Sequence, residues 1–432
     1  MSMRLYFVPT FAFPRKLRHH PALSCLYPLW MLIVALTISL PASSLTIGVL
    51  HDNASERYNF FDIERNFNQQ FPGIEIEFIG MPSGVYKPQV SEWLRSETGP
   101  DVFLWYGGER LMQFVRKDYV ENLNELAEQL DWHNKFSEAT LKIVSSQESI
   151  YAVPISFYQW GIFYNKQVLA GHNIQVPVNW EDFLAACQTL KKNQLEPIAI
   201  GSRDPWVVAA WFDYLNLRIN GLDFHQGLLR GEIAFTDQRV VKVFEYWAEL
   251  IKAQYFLAGH EQLKWNEAMP YLFRDLAGFT LIGNFLAVRI PQQLQQKIGF
   301  MPFPIIAPEH AGYEEGPLDV FFIRSSSKNK QDAKKFLAYL SQADIQTNYN
   351  RYAGGFPPHK AGTTSDNYFN QAGLKLLQNA TGLSQFFDRD TNDHFSAPAM
   401  EVFAEFMQQA DIPRTLQKLE ILRQTELVTD RP

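Results

Sequence analysis

Between Leu45 and Val120 the sequence changes its hydrophobic period again and again, and that alternation constrains the fold more than any other feature. "LTIGVL" (45–50) is a short apolar strand. In "NFFDIERNFNQQF" (59–71), Phe60, Ile63, Phe67 and Phe71 recur at helical spacing until "PG" (72–73) stops the helix. "IEIEFI" (74–79) alternates Ile, Ile and Phe with Glu at period two. Helix-like "YKPQVSEWLRSE" follows, then "DVFLWY" (101–106), a continuous apolar run of the kind a strand shows when both its faces are buried. "ERLMQFVRKDYV" returns to helix. The order β-α-β-α-β-α predicts an open, mostly parallel sheet with helices on both faces, an α/β fold.

The middle of the chain is longer and more helical. "NWEDFLAACQTLKK" (179–192) puts Phe183, Leu184, Cys187 and Leu190 on one face, with Asn179 placed to cap it. "FTDQRVVKVFEYWAELIKAQYF" (235–256) stacks Val240, Phe244, Trp247 and Ile251 behind Thr236 or Asp237 as N-cap. "LEPIAIGS", "AGFTLIG", "IGFMPFPII" and "DVFFI" (319–323) read as strands. "NKQDAKKFLAYLSQ" (329–342) is an amphipathic helix, and the last 60 residues are helical with loops.

Ahead of this pattern, Arg4, Arg15, Lys16 and Arg18 precede the apolar run "LWMLIVALTISL" (29–40) and then "PASS". Basic, apolar and small-residue segments in that order predict a secretory signal over residues 1–44 and a protein exported to the periplasm. The run is short of the roughly 20 apolar residues a spanning helix needs; an uncleaved anchor is the alternative. Residues 45–432 then carry 35 Lys and Arg against 46 Asp and Glu. Such an acidic chain has no electrostatic case for nucleic acid or an anionic membrane surface. Cys187 is the one cysteine left, so no internal disulfide is available, and a chain longer than about 250–300 residues is expected to split in two.

No nucleophile elbow, P-loop, dinucleotide fingerprint or metalloprotease motif is present, and no pair of the ten histidines has metal-ligand spacing. No enzyme, cofactor or metal is expected. The loops that would follow the strands instead share one palette: His51, Asp52 and Asn53; Trp105, Tyr106, Gly107, Gly108 and Glu109; Arg203, Asp204, Pro205 and Trp206; Asn284 and Phe285. Ligands bind open α/β sheets at such loops. Carboxylates and amides suit paired hydroxyls, and aromatic faces suit the C–H face of a pyranose, so a neutral sugar is the expected guest. Each residue has a plainer alternative: Trp206 as core, Asp52 and Asp204 as helix caps, Glu109 as a first-turn helix residue.

The order of segments resembles the sugar-binding family of ABC-importer solute-binding proteins that includes maltose-binding protein. "FNQQFPGIEIEFI" is similar to the family's opening helix–"PGI"–strand unit. "GPDVFLWYGGERLMQFVRKDYVENLNEL" and "YAVPISFYQWGIFYNKQVLAGHNIQVPVNWEDFLAACQTLKK" resemble its next segments, and "SKNKQDAKKFLAYLSQADIQ" with "GGFPPHKAG" its closing helix and loop. The chain departs from the family's Met-Gly-Ser-Trp, with Leu281-Ile282-Gly283-Asn284-Phe285 in its place.

The resemblance implies a periplasmic-binding-protein-like fold of two discontinuous α/β lobes with a hinge and an interlobe cleft. Lobe one is expected at 45–154 with 319–350, and lobe two at 155–318 with 351–432. Tyr151–Pro154 would cross near the hinge. Asp52, Trp105 and Glu109 would face the ligand from lobe one; Tyr158, Trp160, Asp204, Trp206, Asn284 and Phe285 would close on it from lobe two. The implied partners are a sugar and an inner-membrane ABC permease, with the protein a monomer. A sensor for a signalling receptor, a binder of polyamine or another non-sugar solute, and a glycosidase using Glu109 with Asp204 are the other readings.

Overall fold

Nine strands build two main sheets in the computed structural model, which describes residues 44–51 and 54–428. In chain order they are β1 (Ser44–Leu50), β2 (Glu75–Met81), β3 (Val102–Tyr106), β4 (Val153–Phe157), β5 (Trp160–Asn165), β6 (Glu196–Ile198), β7 (Ala277–Gly283), β8 (Ile298–Met301) and β9 (Leu318–Ile323). The export segment at 1–44 falls outside the described residues except for Ser44, and Asp52 falls outside them too. Among the described residues, no helix is long and apolar enough to cross a membrane.

The first sheet has the order β2-β1-β3-β9-β4 and the second β8-β5-β7-β6. Each has its own core. Leu45, Ile47, Phe67, Phe103, Phe322 and Phe336 belong to the first, and Ile162, Phe183, Trp211, Phe244, Trp247 and Phe403 to the second. Fully burying one such side chain stabilises by about 1.5–3 kcal/mol. The helices arise where the sequence pattern puts them. Asn179 accepts from the Asp182 N–H at 2.8 Å and starts Trp180–Lys192; Asp237 accepts from the Arg239 N–H at 2.8 Å and starts Gln238–Lys252.

The mostly parallel sheet expected of the first strands is present, and each sheet carries one reversed strand that the sequence did not show. Strands β1–β2, β1–β3 and β6–β7 pair in parallel, but β9 is antiparallel to β3 and β4, and β5 is antiparallel to β7 and β8. The reason is the route of the chain. Strands β3, β4 and β7 end at the junction between the sheets, whereas β5 and β9 enter their sheets from that junction and so run the other way. Register fixes the place: Leu318 lies opposite Phe157, Asp319 opposite Tyr106, and Trp160 opposite Gly283.

Three segments cross between the sheets. Tyr158 and Gln159 join β4 to β5, a few residues later than Tyr151–Pro154. Gly316 and Pro317 lead into β9. Gly354 and Gly355 follow the helix Ala343–Ala353, and next to them Phe356 bridges to Phe157. A Cβ on Gly355 would meet the Ser156 hydroxyl at 2.3 Å and the Phe157 carbonyl at 2.6 Å, so only glycine lets these two crossings lie together.

Candidate functional site

At the junction, lobe two presents a set of aromatic rings. Strand β5 opens with Trp160. After β7, a short 3₁₀ stretch, Asn284–Arg289, folds Phe285 back so closely that a Cβ on Gly283 would meet its ring at 2.4 Å. The helices Pro205–Asn220 and Trp265–Phe273 bring in Trp206 and Trp265 at their first turns. Phe285 lies at the centre, with ring centroids 6.0 Å from Tyr158, 5.9 Å from Trp160, 5.9 Å from Trp206 and 5.3 Å from Trp265. These contacts are mostly edge-to-face, the favoured aromatic geometry.

Trp160 is only 2% exposed and stacks on Phe386 at 4.7 Å, so it forms the floor. Tyr158, Trp206, Trp265 and Phe285 are half-buried and keep surface available. The Arg289 guanidinium lies 4.8 Å from the Trp265 ring.

Two of the expected polar contacts turn out to be fasteners for this wall. Asp204 precedes Pro205–Asn220 without capping it; its carboxylate accepts from the Trp265 backbone N–H at 2.9 Å and ties the two helix starts together. Asn284 is fully buried, and its Nδ2 donates to the Gly354 carbonyl at 2.8 Å and to Asn370 Oδ1 at 2.9 Å. It pins the third crossing to the wall.

Next to this wall, joined to it through Tyr158, lies a charged cluster. β3 ends at Tyr106, and a Cβ on Gly108 just beyond it would meet Asp390 Oδ1 at 2.7 Å, so the 385–392 loop of lobe two lies directly against lobe one. Arg110 Nε donates to the Asp388 carbonyl at 2.6 Å and its backbone N–H to the Arg389 carbonyl at 3.0 Å; its guanidinium also pairs with Asp393. Arg389 reaches across in turn. It donates to Asp319 Oδ1 at 2.8 Å and to the Tyr158 hydroxyl, and its guanidinium lies 4.1 Å from the Tyr106 ring. Lys87 stands 3.5 Å from Asp388.

Burial alone would raise the Asp388 carboxyl, but Lys87, Arg110 and Arg389 outweigh it and hold it below the usual carboxylate range. Asp319 goes the other way: burial prevails over Arg389 and pushes it up. Lys87 and Asp319 keep 33% and 24% of their side-chain surface exposed, so this charged patch is open to a solute.

Four expected residues, Tyr158, Trp160, Trp206 and Phe285, thus come together, with Asn284 and Asp204 behind them. Glu109 sits in the other lobe, half-buried and paired with Arg116. Trp105 is corrected outright: it has no exposed surface, packs on Tyr86, Tyr106 and Phe114, and donates Nε1 to the Arg110 carbonyl at 3.0 Å. Asp52 lies outside the described residues. Sequence reasoning missed Trp265, Lys87, Asp319, Asp388 and Arg389. Trp265 was findable, since "LKWNEA" repeats the loop-then-tryptophan arrangement of "RDPWVV".

Two α/β lobes, three crossings and an aromatic wall beside a charged cluster at their junction define a hinged ligand-binding protein. The chain belongs to the bacterial extracellular solute-binding protein family, whose model matches residues 52–347. It is 23% identical over 314 residues to an uncharacterized ABC transporter extracellular-binding protein of Pyrococcus horikoshii, covering 71% of this chain and 69% of that one. It is 21% identical over 320 residues to the melibiose/raffinose/stachyose-binding protein MelE of Bacillus subtilis, covering 69% and 70%. Among solved structures, the bacterial solute receptor AcbH, described as having an exclusive preference for β-D-galactopyranose, superposes with a TM-score of 0.81 at 24% identity, over 89% of this chain and 98% of that one. A chitin oligosaccharide binding protein gives 0.81 at 20% identity, over 90% and 100%.

Proposed function

We propose that this protein is the exported binding component of an ABC importer, capturing a sugar or short oligosaccharide between its lobes and handing it to an inner-membrane permease. The observation that carries this reading is the aromatic wall, in which half-buried Tyr158, Trp206 and Trp265 surround half-buried Phe285 beside Trp160. Flat apolar faces beside Asp319, Lys87 and Tyr106 suit a pyranose, which has an apolar C–H face and a rim of hydroxyls. The sugar-binding names of MelE and the structural relatives agree with that chemistry.

The protein makes and breaks no bond in the guest. A ligand held by the wall of one lobe gains the contacts of the other only when the lobes meet, so binding shifts the population toward the closed form. Tyr158–Gln159, Gly316–Pro317 and Gly354–Gly355 are the segments that flex, and the lobes on either side move as bodies. The permease then reads the closed shape. The protein works as a periplasmic monomer released from an N-terminal signal.

A thermal-shift screen against neutral saccharides tests this. A sugar at 100 times its Kd stabilises by about 2.7 kcal/mol, and Trp206→Ala lowers that by about 0.5–1.5 kcal/mol. A response to polyamines with none to any saccharide would refute the sugar reading.

A further inference from the structure

Behind the junction, inside lobe two, three ligand-type side chains meet without a direct Lys or Arg partner among the described residues. Asp213 comes from the helix Pro205–Asn220, His225 from the helix Leu222–Leu229, and Glu315 from the short strand Tyr313–Glu315 that precedes the second crossing. All three are fully buried, and one donor atom of each lies within 4.8 Å of the other two. His225 Nε2 is 3.6 Å from Asp213 Oδ1.

Their hydrogen bonding is incomplete in one direction only. Asp213 Oδ2 accepts from the Phe387 N–H at 2.9 Å, but its Oδ1 has no partner. His225 Nε2 has none, and neither oxygen of Glu315 has one. The adjacent Glu314 shows what a satisfied buried carboxylate looks like here: it takes Arg218 at 2.6 Å and the Tyr214 hydroxyl at 3.1 Å. Among the described residues no Lys or Arg pairs with Asp213 or Glu315. A proton held between Glu315 and the unpaired Asp213 Oδ1 is the arrangement that competes with a bound cation, and retention of metal after refolding separates the two. A buried, unpaired carboxylate costs several kcal/mol.

We propose that Asp213, His225 and Glu315 bind one divalent cation of the zinc or manganese class. Two carboxylates and a neutral imidazole around a dication sum to zero charge, which is what a fully buried site requires. One nitrogen and two carboxylate ligands suit zinc, whose tetrahedral ligand–ligand edge is about 3.4 Å, and they are too few for calcium, which takes 6–8 oxygens.

The ring must present Nε2 unprotonated. Asn216 Nδ2 lies 2.9 Å from His225 Nδ1, and Asn220 Nδ2 donates to Asn216 Oδ1 at 2.8 Å. Turning both amides over gives His225 an Nδ1–H donated to Asn216 Oδ1, the usual support for a metal-bound histidine, and gives up the 3.2 Å bond from Asn220 Nδ2 to the Arg239 carbonyl. The cation would clamp two helices to the strand that feeds β9, and through Asp213 it would steady the loop that carries Asp388 and Arg389.

The test is to refold the purified protein from guanidinium and chelator, with and without zinc chloride alone, then desalt it and measure bound zinc and Tm. The proposal expects one zinc retained per chain, a higher Tm with zinc, and loss of both effects in Glu315→Gln and His225→Gln. Asn216→Ala should weaken zinc binding about 10–100-fold. Should those variants fail to fold, cobalt(II) loaded into the unaltered protein reports directly: the proposal expects the visible spectrum of a low-coordinate nitrogen–oxygen site. Zinc absent from the refolded protein, zinc retained unchanged in both variants, or the spectrum of hydrated cobalt would each overturn it.

Discussion

The aromatic wall and the charged cluster beside it are held up differently. The aromatic wall stands largely on its own lobe: Trp160 rests on Phe386, Asp204 and Asn284 fasten the segments around it, and Tyr158 takes a bond from Arg389. The charged cluster is shared between lobes. Lys87, Tyr106, Arg110 and Asp319 find their partners on the 385–392 loop, which belongs to the other core. The wall is therefore preformed for recognition. The cluster reports how the lobes sit together, and its stability depends on ionised groups where the wall depends on packing.

Removing a buried charge should separate the two most sharply. Arg389→Ala strands Asp319 and the Tyr158 hydroxyl and should cost about 3–5 kcal/mol in urea unfolding. A loss under about 1 kcal/mol would show that the charged cluster carries no load.

Acid should weaken the charged cluster and spare the aromatic wall. Asp388 is held below its ordinary range, so the stability it contributes is complete above the usual carboxylate pKa of about 3.9 and is lost as pH falls through the lowered value. Asp388→Asn should cost about 1.5–3 kcal/mol at neutral pH, with the difference from the unaltered protein shrinking below about pH 4. Asp319 is raised, so Asp319→Asn should cost less than Asp388→Asn at neutral pH; urea midpoints at pH 7 and pH 3.5 check both. Equal losses at both pH values would mean that packing, not ionisation, holds the loop.

Smallest is the effect of trimming one half-buried ring. Trp265→Ala should weaken saccharide binding by about 0.5–1.5 kcal/mol, roughly 2–12-fold in Kd, and barely move the acid response of the charged cluster. Calorimetric titration measures it. An unchanged Kd would remove Trp265 from the wall.

Much of the fold was legible. The helices behind Asn179 and Asp237 and the strands of the first lobe follow from period and capping, which are local properties. Strand direction was not, because a period of two looks the same read either way, and only the route through the junction turns β5 and β9 around. The error at Trp105 was avoidable: "DVFLWY" has no polar alternation, and a strand buried on both faces has no outward position for its tryptophan. Asp204 and Asn284 were noticed for the right chemistry, but their partners, the Trp265 N–H and the Gly354 carbonyl, are 61 and 70 residues away in sequence. Arg389 and the trio Asp213, His225 and Glu315 leave no local signal, since their meaning exists only after distant segments have been packed together.

Small-angle scattering of the purified protein, with and without a saturating saccharide identified by the thermal screen, tests the clamp most directly. Closure of the lobes predicts a smaller radius of gyration with sugar bound, reversed when the sugar is dialysed away. Superimposable curves at proven saturation would contradict it.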